Sequence, residues 1–232
     1  MKPIILYEDN HVIAVQKPHG MLVQADETGD STLINEVRYF LKQREDKPGN
    51  VFLGLIHRLD RPVGGVVVFG KTSKGAGRLS DQFRTHSVEK VYWAVVEKGV
   101  GGRVLGVGEA GVIKQWLVKD EEKNVTKAFD HEVNGSQNAE TAWSVLKVFD
   151  DGRSLVELRP KTGRSHQLRV AMASMGHPIV GDMKYGADRA IQLPSGSTAL
   201  ALMARSLSFD QPVTKERITA VAEPDPIVFS EV

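Results

Sequence analysis

The spacing of hydrophobic and polar residues predicts many short strands and a few helices. Apolar runs at 4–7 and 12–15, separated by Glu8-Asp9-Asn10, predict an N-terminal hairpin. Further strands are predicted over residues 65–69, 91–96, 112–118, 142–149, 154–158, 199–209 and 217–221. Helical spacing and capping residues predict helices from Ser31 or Thr32 to about 42, from Thr72 or Ser73 to about 86, and from Arg164 or Ser165 to about 175. Strands that follow strands through short turns indicate an α+β fold with a mixed, mostly antiparallel sheet, flanked by helices and loops. We expect one domain over residues 1–232.

The amino-acid composition excludes several kinds of functional site but does not indicate one. The chain has 232 residues, 30 Lys+Arg against 29 Asp+Glu, and no cysteine. Disulfides, thiol catalysis and Cys-ligated zinc are therefore excluded. The seven histidines match no metal-binding pattern, so we expect them to be solvated or core residues. No targeting or membrane-spanning segment is visible, which favours a cytoplasmic protein.

Two nucleotide-binding motifs occur in the wrong context. Residues 65–72 satisfy G-x-x-x-x-G-K-[ST], but the four middle residues are Val, Val, Val and Phe, which favour a strand and not a phosphate loop. Residues 106–111 satisfy G-x-G-x-x-G, but a strand-like segment follows where a dinucleotide site needs a helix. A P-loop nucleotidase is thus an alternative with little support.

Three polar segments remain, at 57–65, 89–96 and 161–169. In the first, Asp60 lies between Arg58 and Arg61, whose positive charge favours the ionised carboxylate. Taken alone, each segment has an ordinary structural explanation: a surface ion-pair turn, a core tyrosine at Tyr92, and a solvated helix start.

Taken in order, the segments resemble the RluA family of RNA pseudouridine synthases. The matching motifs are Lys17-Pro18-His19-Gly20, His57-Arg58-Leu59-Asp60, Lys90-Val91-Tyr92-Trp93-Ala94, the run 163–169 (GRSHQLR) and the run 176–182 (GHPIVGD). The resemblance covers about residues 4–210. It implies the pseudouridine synthase catalytic fold and the conversion of a specific uridine in ribosomal or transfer RNA to pseudouridine. It also implies that neither a metal nor an organic cofactor is required.

The resemblance also implies roles for individual residues. Asp60 would be the essential carboxylate, either as a nucleophile or as a base. Arg164 would pair with Asp60, and Tyr92 would stack on the target base. Leu168 would line the uracil pocket, and Arg58 would hold the RNA with the uridine flipped out. The remaining substrate-binding residues that we predict are His57, His166, Gln167, Arg169 and Lys17.

The same resemblance leaves questions open. Many family members have small hydroxyl residues where this chain has Val63-Gly64, so either a hydroxyl contact is missing or Gly64 permits a closer approach of backbone. We expect no N-terminal accessory RNA-binding domain, a monomer, and no partner besides RNA. A catalytically silent RNA-binding module on the same scaffold is the alternative function.

The distribution of charge supports RNA as the partner. Residues 57–103 carry nine basic and four acidic side chains, and residues 151–189 carry seven and four, whereas the remaining segments are net acidic. Both basic segments contain the proposed motifs. We therefore predict a basic face on a protein of net charge +1.

Overall fold

The computed structural model describes residues 2–46 and 49–230 of the chain. The strands are β1 (Ile4–Glu8), β2 (Val12–Lys17), β3 (Gly54–Leu55), β4 (Gly64–Gly70), β5 (Glu89–Val96), β6 (Ala110–Asp120), β7 (Val125–Phe129), β8 (Gln137–Val148), β9 (Ser154–Pro160), β10 (Ile191–Gln192), β11 (Thr198–Ala199), β12 (Leu202–Asp210) and β13 (Arg217–Val221). The α-helices are α1 (Leu33–Arg44), α2 (Ser73–Arg84) and α3 (Gln167–Ser174), and single 3₁₀ turns lie at Val100–Gly102 and Met183–Tyr185. The chain forms two compact units, one containing the residues up to Glu89 together with Ala204–Asp225, the other Lys90–Met203 together with the residues from Pro226 onward.

The first unit is built on the strand order β1-β2-β4-β12, with β13 paired to β12 and β3 paired to β4. The N-terminal hairpin is confirmed, since β1 and β2 pair antiparallel, as do β2 and β4. Every residue of β4 is buried, and Val66, Val67, Val68 and Phe69 have no exposed surface. A strand buried on both faces needs the continuous apolar run that the sequence has at this point.

The P-loop motif therefore forms the central strand of this unit, as its composition indicated. Its lysine, Lys71, donates hydrogen bonds to the Glu8 carboxylate (2.6 Å) and to the Asp9 carbonyl (2.9 Å). Gly70, the second glycine of the motif, gives room to α2, because a Cβ at this position would lie 2.6 Å from Ala76. The motif is explained by packing and not by nucleotide binding.

The helices of the first unit begin as predicted. Thr72 is the N-cap of α2, and its hydroxyl accepts a hydrogen bond from the Gly75 N–H at 3.0 Å. Thr32 is the N-cap of α1, but its side chain makes no capping hydrogen bond. α2 ends at Arg84, two residues earlier than predicted, and His86 has a left-handed backbone at φ 57°.

The second unit is built on the antiparallel strand order β5-β9-β8-β6-β7. The predicted β8–β9 hairpin is confirmed, and α3 packs over the sheet through Val170, which lies against Leu117 and Ala139. The edge strand β7 was not predicted, because its sequence VTKAF carries a weak apolar signal. The strand predicted over 199–209 is divided into β11 and β12, since the backbone of Ala201 bonds instead with Val180 and Val95.

Helix α3 begins at Gln167, not at Arg164 or Ser165 as predicted. His166, the residue before it, adopts a left-handed backbone at φ 52°. Residues 161–166 consequently form a turn that leads into the helix. The end of the helix is as predicted, because Gly176, with φ 80°, follows the C-cap residue Met175.

Candidate active site

Asp60 lies in a loop of the first unit that leads directly into β4. The loop is closed by a hydrogen bond from the Val63 N–H to the Asp60 carbonyl at 3.0 Å. Asp60 is half-buried. It precedes Gly65, whose φ is 113° and whose added Cβ would lie 2.2 Å from the Ala204 carbonyl oxygen. Only glycine can adopt this backbone at such a distance from β12, so the loop that carries Asp60 leads into a sharply fixed backbone position.

A second loop, Lys17–Gly20, holds the Asp60 loop in place. The Arg61 carbonyl accepts hydrogen bonds from the Gly20 N–H (2.9 Å) and from the Lys17 ammonium (3.1 Å). The Arg61 guanidinium donates to the Gly20 carbonyl (3.2 Å) and to the Asp30 carboxylate (2.5 Å). The residue that follows Asp60 is thus bound through both its backbone and its side chain.

Lys17 is almost fully buried, with 1% of its surface exposed. Its ammonium donates to the carbonyls of Pro18 and Arg61, at 3.0 and 3.1 Å. Burial lowers the pKa of Lys17 to about 7, and the negative charge of Asp60 opposes that shift. The prediction that Lys17 binds substrate does not agree with this position, because a buried ammonium bound to two carbonyls has no access to RNA.

His57, which is half-buried, also makes contacts within the first unit. Its Nε2 accepts a hydrogen bond from the Val68 N–H at 3.1 Å, and its ring stacks on Phe83 with centroids 4.6 Å apart. These contacts anchor the start of the loop to β4 and to the last turn of α2. The next residue, Arg58, is exposed, which is compatible with the predicted RNA contact.

The second and third motifs are brought together in the second unit. The Lys90 ammonium donates to the Thr162 carbonyl at 3.0 Å, and burial lowers the pKa of Lys90 to about 8. Tyr92 lies two residues further along β5, opposite Leu158 of β9, and is half-buried. β5 therefore carries both Tyr92 and the lysine that joins this strand to the turn at Thr162.

Gln167 organises that turn. Its side-chain oxygen accepts hydrogen bonds from the Arg164 N–H (3.0 Å) and the Thr162 hydroxyl (2.8 Å). Its side-chain nitrogen donates to the Glu140 carbonyl and to the Thr141 hydroxyl. Because these four contacts use the amide fully, the prediction that Gln167 binds substrate is not supported. The turn leaves Arg164 exposed, with its Nε donating to the Asn138 carbonyl at 3.2 Å.

Arg169 and His166 also point into the second unit. The guanidinium of Arg169 forms a bidentate ion pair with Asp182, at 2.6 and 2.7 Å, and lies over the Tyr185 ring. The Tyr185 hydroxyl lies 2.8 Å from His166 Nδ1 and accepts a hydrogen bond from the Thr126 N–H. Burial raises the pKa of Tyr185. Arg169 and His166 are buried, so the prediction that they contact substrate conflicts with their packing.

The structure thus separates the predicted site residues into two groups. The exposed or half-buried side chains in the first group are Asp60, Arg58, Tyr92 and Arg164. Side chains used for internal support are Lys17, His57, His166, Gln167 and Arg169. Leu168 is 7% exposed, and its contact with uracil stays a prediction. Tyr185 was missed as a supporting residue, because only tertiary contacts connect it to the motifs, and Asp182, the last residue of the 176–182 motif, was not assigned its role beside Arg169. In the described part of the chain, no group of three or more His, Asp or Glu residues is arranged to hold a metal ion.

Comparison with known proteins decides the family. A family model described as RNA pseudouridylate synthase matches residues 11–174. The chain belongs to the RNA pseudouridylate synthase family. It is an isomerase that converts uridine in RNA to pseudouridine, as the RluA-type motifs predicted.

Individual relatives extend the likeness to nearly the whole chain. The chain is 39% identical over 226 residues to "tRNA pseudouridine synthase C" of Haemophilus ducreyi, covering 94% of this chain and 89% of that protein. It is 36% identical over 232 residues to the protein of the same name from Haemophilus influenzae, covering 94% and 91%. The structure of human RNA pseudouridylate synthase domain containing 4 superposes with a TM-score of 0.75 and 25% identity, covering 98% and 92% of the two chains. The predicted α+β fold is confirmed.

Within residues 2–46 and 49–230, no helix of this pseudouridine synthase is both long and apolar enough to cross a bilayer.

Proposed function

We propose that this pseudouridine synthase modifies transfer RNA and that Asp60 is its essential carboxylate. The substrate class is supported by the names of the bacterial relatives, which match this chain over nine-tenths of its length. Ribosomal RNA, which the motifs alone left open, has no comparable support among these relatives. The observation that carries the assignment of Asp60 is its half-buried place in a loop whose backbone is held by hydrogen bonds at the carbonyls of Asp60 and Arg61.

The position of Asp60 suits a reacting group. Its loop is fixed by the bonds of Arg61 to Gly20 and Lys17, so the carboxylate needs little reorganisation before it reacts. The neighbouring Lys17 ammonium attracts the carboxylate electrostatically. The proposal covers both chemical roles, attack at the sugar or removal of a proton, since an ionised carboxylate serves either.

Contact with the target base is assigned to residues of the second unit. Tyr92 stacks on the target base, and Leu168 lines the uracil pocket. Arg164 has the role implied by the family resemblance, which is to orient the catalytic carboxylate. Arg58, exposed next to Asp60 in sequence, stabilises the RNA from which the uridine has been extruded. That extrusion costs a few kcal/mol of stacking and pairing, which cationic side chains and an aromatic surface can offset.

The test of the proposal is a map of pseudouridines in the RNA of cells with and without this gene product. We expect one or a few positions in tRNA to lose pseudouridine, while rRNA positions remain. Loss confined to rRNA would overturn the proposed substrate class.

The test of Asp60 uses purified protein and tRNA from the deficient cells. We expect Asp60→Asn to lower the rate of pseudouridine formation by at least about 100-fold, the lower range of what one acid–base group contributes. Its affinity for RNA should remain. Asp81→Asn, the same change at an exposed carboxylate on α2, serves as the control and should keep the wild-type rate. Pseudouridine formation by Asp60→Asn at the wild-type rate would refute the assignment.

The same assay separates the enzyme from a silent RNA-binding module. A silent module would bind tRNA without forming pseudouridine in any of the proteins tested. The cytoplasmic location and the monomeric state stay predictions, and gel filtration of the purified chain tests the second.

A further inference from the structure

The Asp60 loop and the Lys17–Gly20 loop leave the same end of one strand pair. β2 and β4 are antiparallel, and Lys17 and Gly65 are the last paired residues. The chain continues from Lys17 into Pro18-His19-Gly20, whereas Asp60–Gly64 precedes Gly65. The two loops must therefore lie side by side, and their contacts decide where Asp60 is held.

His19 fills the space beside Gly64. A Cβ added to Gly64 would lie 2.5 Å from His19 Cε1, 2.6 Å from Nδ1 and 3.0 Å from Nε2. These are the three nearest atoms, and all belong to one imidazole ring. The φ of Gly64 lies outside the left-handed region, so its backbone conformation does not require glycine. Glycine is required at position 64 because the ring occupies the place of a side chain.

The imidazole is itself held in place. His19 is 8% exposed, and its Nδ1 lies 3.6 Å from the Asp225 carboxylate. The residue after it, Gly20, bonds to Arg61 in both directions. The charged groups near this junction are the Lys17 ammonium, the Arg61 guanidinium and the carboxylates of Asp60 and Asp225. The ring is thus confined between the chain near Asp225 and the loop that carries Asp60.

We propose that His19 is a positioning residue for Asp60, with its imidazole taking the place of the side chain missing at Gly64. The ring presses on the backbone of Gly64, and the turn from Gly64 through Val63 transmits that position to Asp60. The pair bears on the question raised by Val63-Gly64 in the sequence: the group that lies close to Gly64 is the His19 side chain and not the backbone that the sequence suggested. This role rests on the proposed function of Asp60.

The test is a double-mutant cycle of His19→Ala and Gly64→Ala. The rate constant is measured in single turnover, with enzyme in saturating excess over uridine-labelled tRNA from the deficient cells. In this regime a partly unfolded preparation keeps the full rate constant as long as its folded fraction stays in saturating excess, whereas a misplaced carboxylate lowers the rate constant. Gly77→Ala adds the same methyl group on α2, where nothing lies within 4 Å, and serves as the matched control.

The expected results follow from the distances. Gly64→Ala must move the loop or the ring by about 0.9 Å to reach an ordinary 3.4 Å contact, and a displacement of about 1 Å can cost roughly 100-fold in rate. We expect that loss in the single-turnover rate constant, with the Kd for tRNA changed less than about threefold. His19→Ala should lower the rate less. The double variant should match His19→Ala within about threefold, because the atoms that the methyl group strikes have been removed.

Three outcomes would overturn the role of His19. One is a double variant whose loss is the product of the two single losses. Another is an effect confined to the Kd for tRNA. The third is a His19→Ala rate equal to the wild-type rate, which is decisive even where Gly64→Ala does not fold. If the wild-type enzyme forms no pseudouridine in tRNA, the proposed function fails and the positioning role fails with it. If the wild type is active but the effects of His19→Ala and Gly64→Ala are independent of each other, only the positioning role is overturned.

Discussion

The buried ion pair between Arg169 and Asp182 allows a quantitative test of how the second unit is built. Only 8% of the Arg169 side chain and 1% of the Asp182 side chain are exposed, and two hydrogen bonds of 2.6 and 2.7 Å join them. Asp182→Asn keeps the shape but removes the negative charge. The guanidinium then stays buried without a counter-charge, which costs about 3–5 kcal/mol of the free energy of unfolding. For a chain of this length, that corresponds to a fall of about 6–20 °C in Tm.

The prediction can be tested by the intrinsic tryptophan fluorescence of the protein. All three tryptophans, Trp93, Trp116 and Trp143, lie in the second unit, so tryptophan fluorescence during urea unfolding reports on the unit that contains the ion pair. A loss below about 1 kcal/mol for Asp182→Asn would show that the pair behaves like an exposed one, and the reasoning from burial would be refuted.

A second variant separates stability from RNA contact. Replacing both charges, as Arg169→Met with Asp182→Leu, should restore most of the lost stability, because apolar residues need no counter-charge. The affinity of this double variant for tRNA should equal that of the wild type, since Arg169 points into the unit. A tenfold loss of tRNA affinity in a stable double variant would revive the prediction that Arg169 binds substrate.

Three further predictions concern stability in the first unit. Gly65→Ala should prevent folding or sharply lower the Tm, because the φ of Gly65 is 113° and an added Cβ would lie 2.2 Å from the Ala204 carbonyl oxygen. The control Gly77→Ala, in open space on α2, should raise the free energy of unfolding by about 0.5–1 kcal/mol. Equal effects of the two changes would contradict this geometry. Thr72→Ala should cost about 1 kcal/mol through loss of the α2 N-cap, as measured by urea unfolding, and no loss would mean that the cap is dispensable. Because the pKa of Lys17 is lowered from 10.5 to about 7, the unfolded chain binds more protons at Lys17 than the folded chain does between these pH values. The Lys17 contribution to the free energy of unfolding should therefore rise by up to about 1.4 kcal/mol per pH unit from pH 7 to 10.5. Lys17→Met, compared with the wild type at about pH 7 and about pH 9, should lack this rise.

Most strands and all three helices followed from local patterns. β4 was predictable because a short apolar run that is rich in β-branched residues and flanked by glycines favours a buried strand, and α2 because Thr72 precedes a helical run. The exceptions are instructive. β7 is held at the sheet edge by its pairing with β6, and α3 starts late because His166 takes a left-handed backbone that no propensity indicates. Pairing partners and positive φ angles depend on distant residues.

The roles of the polar motif residues could be predicted only in part. Lys17, Gln167 and Arg169 were assigned to RNA because they are polar and lie in motifs. The structure shows that their donors are used by carbonyls, hydroxyls and a carboxylate inside the protein. A sequence shows which groups can donate or accept, but whether they face solvent is a property of packing.

The sequence by itself determined the family, the reaction and the identity of the candidate carboxylate, because five ordered motifs retain the residue types that the chemistry requires. Tertiary structure alone decided which motif residues are buried in internal contacts and which are exposed or half-buried. Contacts such as His19 against Gly64, 45 positions away along the chain, arise when β2 and β4 bring two loops to the same edge. The physical reason is that burial and close approach are set by the neighbours in space, which local sequence does not specify.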